Sequence, residues 1–111
     1  MYENIIHVQK WNRPDQPTEA GLKQLMSEDG LVPHTWSNAP EDVYAAHEHS
    51  YHKVIFVVSG TITFGFPIEG KPITLTPGDR LDLPAGVRHN AVVGPDGVVC
   101  LEAHREARQD R

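Results

Sequence analysis

From Leu31 onward the chain alternates short β-prone runs with glycine- and proline-bearing breaks, and that rhythm leaves few architectures open. The runs cover residues 31–37, 43–49, 53–58, 61–66, 72–76, 80–84, 88–93 and 98–104. They are parted by Ser59-Gly60, Glu69-Gly70, Pro77-Gly78, Ala85-Gly86 and Gly94-Pro95-Asp96-Gly97. Strands this short with turns this regular bury their apolar sides by stacking as a sandwich or closing as a barrel. Val54-Ile55-Phe56-Val57-Val58 is apolar on both faces, which predicts a central strand covered on each side. The expected class is all-β.

The first thirty residues read differently. Asn4-Ile5-Ile6-His7-Val8 is β-prone but cannot form a sheet alone, and a polar linker with Trp11, Pro14 and Pro17 follows. Such an extended segment pairs with a sheet edge of its own domain or of a second subunit, so it is expected to serve as a dimerisation arm of a homodimer. Thr18-Glu19-Ala20 starts a short helix, Leu22, Leu25 and Met26 give it one apolar stripe, and Gly30 stops it. The expected organisation is an arm and helix over 1–30, a barrel over 31–106 and a polar tail over 107–111.

Within the β region two segments can aim three imidazoles at one point. In His47-Glu48-His49, residues two apart project from the same face of an extended strand, so the two rings lean together and Glu48 points away. The second segment, Gly78 through His89, is a strand held between the turns Pro77-Gly78-Asp79 and Pro84-Ala85-Gly86. If the strands face one another, His89 supplies a third nitrogen. Isolated histidines are more often structural than ligating, and it is the surrounding glycine and proline pattern that favours a shared metal.

This spacing resembles the two signature motifs of the cupin superfamily. The first runs His-x-His, three or four residues, Glu, six residues, Gly; His47, His49 and Gly60 fit, and Lys53 stands at the Glu position. The second runs Gly, five residues, Pro-x-Gly, two residues, His, three residues, Asn; Gly78, Pro84, Gly86 and His89 fit, and Val93 stands at the Asn position. The resemblance covers roughly residues 31 to 104. It implies a double-stranded β-helix (jelly-roll) barrel of six to eight strands. It also implies a divalent transition metal (Fe, Zn, Ni, Mn or Cu) on His47, His49 and His89, with a small molecule as substrate or ligand.

Lys53 sets the problem of the site. An ammonium facing a divalent ion at about 4 to 6 Å costs several kcal/mol at low effective dielectric. Either Lys53 turns away, or it is neutral, or the metal is weakly held. Three-His sites without the Glu occur among cupins, the thiol dioxygenases being one case. A β-bulge beside Lys53 would also turn His52 inward as a fourth ligand. If Lys53 faces the pocket, it favours an anionic ligand; the plainer reading pairs it with Asp42, Asp82 or another carboxylate. Tyr44, three residues before His47, can stand at the pocket with a phenol that donates a hydrogen bond or proton, or pack as an ordinary barrel aromatic. Trp36, Phe56, Phe64 and Phe66 read as core or pocket wall, Arg80 and Arg88 as outward ion-pairing residues, and Cys100 as a small core residue.

A chain of 111 residues suits one domain. Its net charge of −5 and scattered basic residues argue against a nucleic-acid partner. No stretch reads as a secretory leader or a membrane span, and a single cysteine permits no internal disulfide, so the cytoplasm is the expected location. No nucleophile elbow, phosphate loop or dinucleotide fingerprint is present. The cupin resemblance implies a metal-binding barrel, an enzyme of oxygenase-like (dioxygenase), isomerase or decarboxylase type, and the pocket lysine suggests a small anionic substrate. The alternative is a non-catalytic barrel that binds or senses a small molecule without metal.

Overall fold

The computed structural model describes residues 6–68 and 70–106. The elements follow in the order β1 (His7–Gln9), α1 (Glu19–Glu28), β2 (His34–Asn38), β3 (Val43–His47), β4 (Tyr51–Gly65), β5 (Ile73–Leu75), β6 (Arg80–Leu83) and β7 (His89–Glu106). Every pairing is antiparallel. β4 and β7, 15 and 18 residues long, run side by side and belong to both leaves of the fold. Tyr51–Val57 and Val98–Glu106 lie in a leaf ordered β1-β6-β4-β7-β2. Beyond a bend the same two strands pair again, Ile62–Gly65 against Asn90–Val93, flanked by β5 and β3. This is the expected double-stranded β-helix.

Two breaks that read as turns in the sequence are bulges inside continuous strands. Gly60 pairs with Val98 and Ile62 with Val93, so Gly94 to Gly97 bow outward opposite Thr61. Extra residues in one strand bend it and raise its twist without ending the ladder, and this carries β4 and β7 around the corner between the leaves. Gly60 has φ 75°, and a Cβ there would lie 2.0 Å from the carbonyl oxygen of Gly97. Only glycine fits.

Strand alternation divides the apolar side chains between two cores. Ile55, Val57, Ile62, Phe64, Leu81 and Val93 fill the barrel, while Val54, Phe56, Leu101 and Ala103 face outward under α1. This is why the 54–58 run is apolar on both sides. Thr18 caps the helix, its Oγ1 accepting the Gly21 N–H at 3.1 Å, and Gly30 follows its end with φ 74°. Leu22 and Met26 are fully buried against the outer core, each worth about 1.5–3 kcal/mol of apolar transfer. Arg80 closes this face: it pairs with Asp82 at 2.6 Å and Asp29 at 3.0 Å and lies over the Phe56 ring. Arg88 is exposed, and Cys100 is a buried core thiol pushed up to about 12 by desolvation.

The N-terminal segment pairs with β6 of its own chain, one of the two edges open to it; Asn4 and Ile5 lie outside the described residues, as does the 107–111 tail. Buried Asp79 pins the segment down. Its carboxylate accepts from the Trp11 N–H at 2.9 Å, Lys10 Nζ at 2.5 Å, and the Thr76 N–H and hydroxyl at 2.8 and 2.9 Å. Burial pushes this carboxyl's pKa up, but the hydrogen bonds from Lys10, Thr76 and Trp11 outweigh it and hold the group below its ordinary value. Among the described residues no helix is long and apolar enough to cross a membrane.

Candidate metal centre

The three histidines meet because β3 and β7 are paired and the loop after β3 is tied to the turn before β7. His47, the last residue of β3, lies directly opposite His89, the first of β7, with ring centroids 4.5 Å apart. His49 stands just beyond the strand end, and its carbonyl accepts the Gly86 N–H at 2.8 Å, which fastens the Pro84-Ala85-Gly86 turn to it. Its ring centroid is 4.7 Å from that of His47 and 5.4 Å from that of His89. One nitrogen from each of the three lies within 4.8 Å of the others. Glu48, between them in sequence, is exposed and not part of the cluster.

The hydrogen bonds of the rings settle which nitrogen is available. Nδ1 of His47 donates to the Ala45 carbonyl at 2.7 Å, and Nδ1 of His89 to the Val87 carbonyl at 2.9 Å, leaving Nε2 of each unprotonated when the ring is neutral. Nε2 of His49 is buried and has no hydrogen-bond partner among the described residues. Burial, with the charges of Lys53, His47 and His89 behind it, lowers the His49 pKa to about 4. Burial likewise lowers that of His89, against the opposing hydrogen bond to Val87. His49 and His89 are therefore held neutral at pH 7, the form that binds a metal. A bare, buried nitrogen beside two further imidazole nitrogens fits a cation with imidazole ligands.

His47 and His89 line a pocket of about 210 Å³ in the barrel, walled by Trp36, Tyr44, Ile55, Ile62, Phe64 and Ala91. Phe56 and Phe66 belong to the cores instead. Tyr44 donates its hydroxyl hydrogen to Asn38 Oδ1 and meets Trp36 edge to face at 6.3 Å; burial raises its pKa, so the phenol stays protonated. Lys53 faces this pocket, with its side chain 15% exposed. Its Nζ lies 3.3 Å from Oε1 of Glu102, which is 16% exposed and is the one carboxylate among the residues lining the pocket.

The sequence reading pairs Lys53 with Asp42, Asp82 or another carboxylate and does not single out Glu102, which is the partner found. It arrives from β7: Lys53 pairs with His104 and Ile55 with Glu102 across the β4–β7 ladder, so the two charges are diagonal neighbours on the inner face. Apart from Lys53, Glu102 accepts from Trp36 Nε1 at 3.0 Å and from His104 Nε2 at 2.6 Å. Burial alone raises its pKa, but His104 and Lys53 together bring it below the ordinary carboxylate value. Alternation within β7, Glu102 facing the same way as the core residue Cys100, was the signal that could have found it.

His52 is not brought to the other three. β4 keeps unbroken register from Tyr51 to Val57, so the bulge that would turn His52 inward is absent. Its Nδ1 accepts the Ala85 N–H at 2.9 Å, and its ring borders a separate hollow with Asp82, Pro84 and Arg105.

A jelly-roll barrel with imidazoles gathered in its pocket defines a class of small β proteins with a candidate metal site. The family model for the cupin domain matches residues 34–102, and the chain belongs to the cupin family. None of the curated proteins compared with it matches. Among solved structures, an RmlC-like cupin from Shewanella frigidimarina NCIMB 400 is 28% identical with a TM-score of 0.59, the match covering 72% of this chain and 69% of that one. A duf861 family protein from Thermotoga maritima shares the fold at 18% identity and a TM-score of 0.62, covering 88% of this chain and 97% of that one. A structure of DMSP lyases matches at 25% identity and a TM-score of 0.58, over 73% of this chain and 43% of that one.

Proposed function

We propose that the chain is a metal-dependent cupin enzyme acting on a small anionic molecule, with His47, His49 and His89 holding one divalent ion, Fe, Zn, Ni, Mn or Cu. The observation that carries this reading is the bare, buried Nε2 of His49 beside two rings whose Nδ1 atoms are already committed. A buried polar atom without a partner costs about 1–3 kcal/mol, and one cation can serve all three rings. When bound, such an ion supplies Lewis acidity or redox chemistry at its open positions.

The chain's own residues would do the rest. Glu102 cancels the charge of Lys53, so an ammonium and a cation can share the pocket without the repulsion expected of Lys53 alone. Lys53 would orient the ligand's anionic group, Tyr44 would present its phenol oxygen, and the apolar wall would exclude water. Likeness to DMSP lyases supports the enzymatic side of the reading. Within this class we favour oxygenase over isomerase or decarboxylase chemistry.

A second reading, a ligand-binding cupin without metal, draws on the same ion pair, which is complete without one. Elemental analysis of protein purified without added metal separates the two. The first expects about one transition-metal ion per chain, lost in His89→Ala. No stoichiometric metal, or metal unaffected by that substitution, overturns it.

A further inference from the structure

His47 and His89 are each oriented by a hydrogen bond to the carbonyl two residues back. Among the described residues His49 has no comparable tether: it lies past the end of β3, and its buried Nε2 is unpartnered. What lies against the face of its ring is Tyr51, stacked at 4.9 Å and 26°. Tyr51 is stacked in turn on His104 at 4.2 Å and 28°. His104 donates from Nε2 to Glu102 Oε2 at 2.6 Å, and Glu102 holds Lys53. Strand register builds this path, because Tyr51 pairs with Glu106 and Lys53 with His104, making Tyr51 and His104 diagonal neighbours on one face.

We infer that Tyr51 and His104 are positioning residues for His49, a run of ring contacts through which the Lys53–Glu102 pair fixes how the third imidazole is presented to a metal ion. The inference rests on the metal reading above. Two imidazoles with tethered Nδ1 atoms supply two of the three ligands, and the third must be held in plane by other means. Stacked rings restrict tilt while leaving the nitrogen bare, which a hydrogen bond to Nε2 would not. Outer contacts that orient metal ligands are worth about 10- to 100-fold in affinity.

The test uses the full chain with Tyr51→Leu, Tyr51→Phe and His104→Ala, read by imidazole proton shifts in metal-free protein and by Co(II) titration. Tyr51→Leu is expected to move the His49 ring protons downfield as the stacking ring current is lost, to leave those of His47 and His89 near their parent positions, and to weaken Co(II) binding about 10- to 100-fold. Tyr51→Phe keeps both parent values, and His104→Ala falls between. Parent-like shifts and affinity in folded Tyr51→Leu overturn the inference, and so does a Tyr51→Phe loss as large, which would assign the effect to the phenol. If Tyr51→Leu does not fold, His104→Ala decides: unchanged His49 shifts there overturn the relay. Absence of Co(II) uptake by the parent protein removes the metal reading instead, and the metal-free shifts still decide the positioning role.

Discussion

Lys53 and Glu102 are diagonal neighbours on the β4–β7 ladder with Nζ 3.3 Å from Oε1, and each makes the other tolerable where both side chains are mostly buried. Removing one partner strands the second charge, whereas removing both does not. Glu102→Ala is expected to lower stability by about 2–3 kcal/mol, and a Lys53→Met, Glu102→Met double variant to recover about 1 kcal/mol of that, Trp36 Nε1 and His104 Nε2 still lacking their acceptor. Urea unfolding measures both; a single variant no worse than the double would show that the two charges are independent.

His52→Ala should leave metal content at the parent level, because this ring serves the Ala85 N–H and not the cluster. The loss of that acceptor is expected to cost about 1 kcal/mol in denaturant unfolding. Metal loss in this variant would return His52 to the ligand set.

Gly60 and Gly86 both have positive φ, but they differ in surroundings. A methyl group on Gly60 collides with the Gly97 carbonyl, and one on Gly86 meets nothing within 4 Å. Gly86→Ala should cost about 1–2 kcal/mol from backbone strain alone. Gly60→Ala adds a backbone clash and should cost on the order of 3 kcal/mol or more. Thermal unfolding compares the two, and equal losses would mean that the β4–β7 crossing yields easily.

Asp79 sets a stability limit on the acid side. Its carboxyl sits below its ordinary 3.8 in the folded chain and near that value when unfolded, so its contribution is complete above pH 3.8 and is lost as pH falls through the folded value. Asp79→Asn is expected to be about 2 kcal/mol less stable at pH 7, with the gap to the parent closing below pH 3.8. Guanidinium midpoints at pH 7 and pH 3 measure it. A gap that holds constant with pH would assign the loss to packing.

The histidine triad was legible because period-two alternation and flanking turns are local properties, readable from His47, His49 and His89 without knowing which strands pair. Glu102 was not, since its nearness to Lys53 depends on the register between β4 and β7, which two strands far apart in sequence do not announce. The same limit explains the misread breaks. Ser59-Gly60 and Gly94-Pro95-Asp96-Gly97 have the composition of hairpin turns, and only the persistence of the partner strand beside them makes them bulges. Thr18, Gly30 and the doubly apolar 54–58 run, whose signals are local, read correctly.

Because β4 and β7 each contribute to both leaves, melting either leaf removes strands on which the other is built. Peeling the ladder apart at Tyr51 and Glu106 loosens the rim of the histidine cluster, and continuing past Gly60 empties the barrel. Loss of shape and loss of the site are thus expected to fall in one unfolding transition.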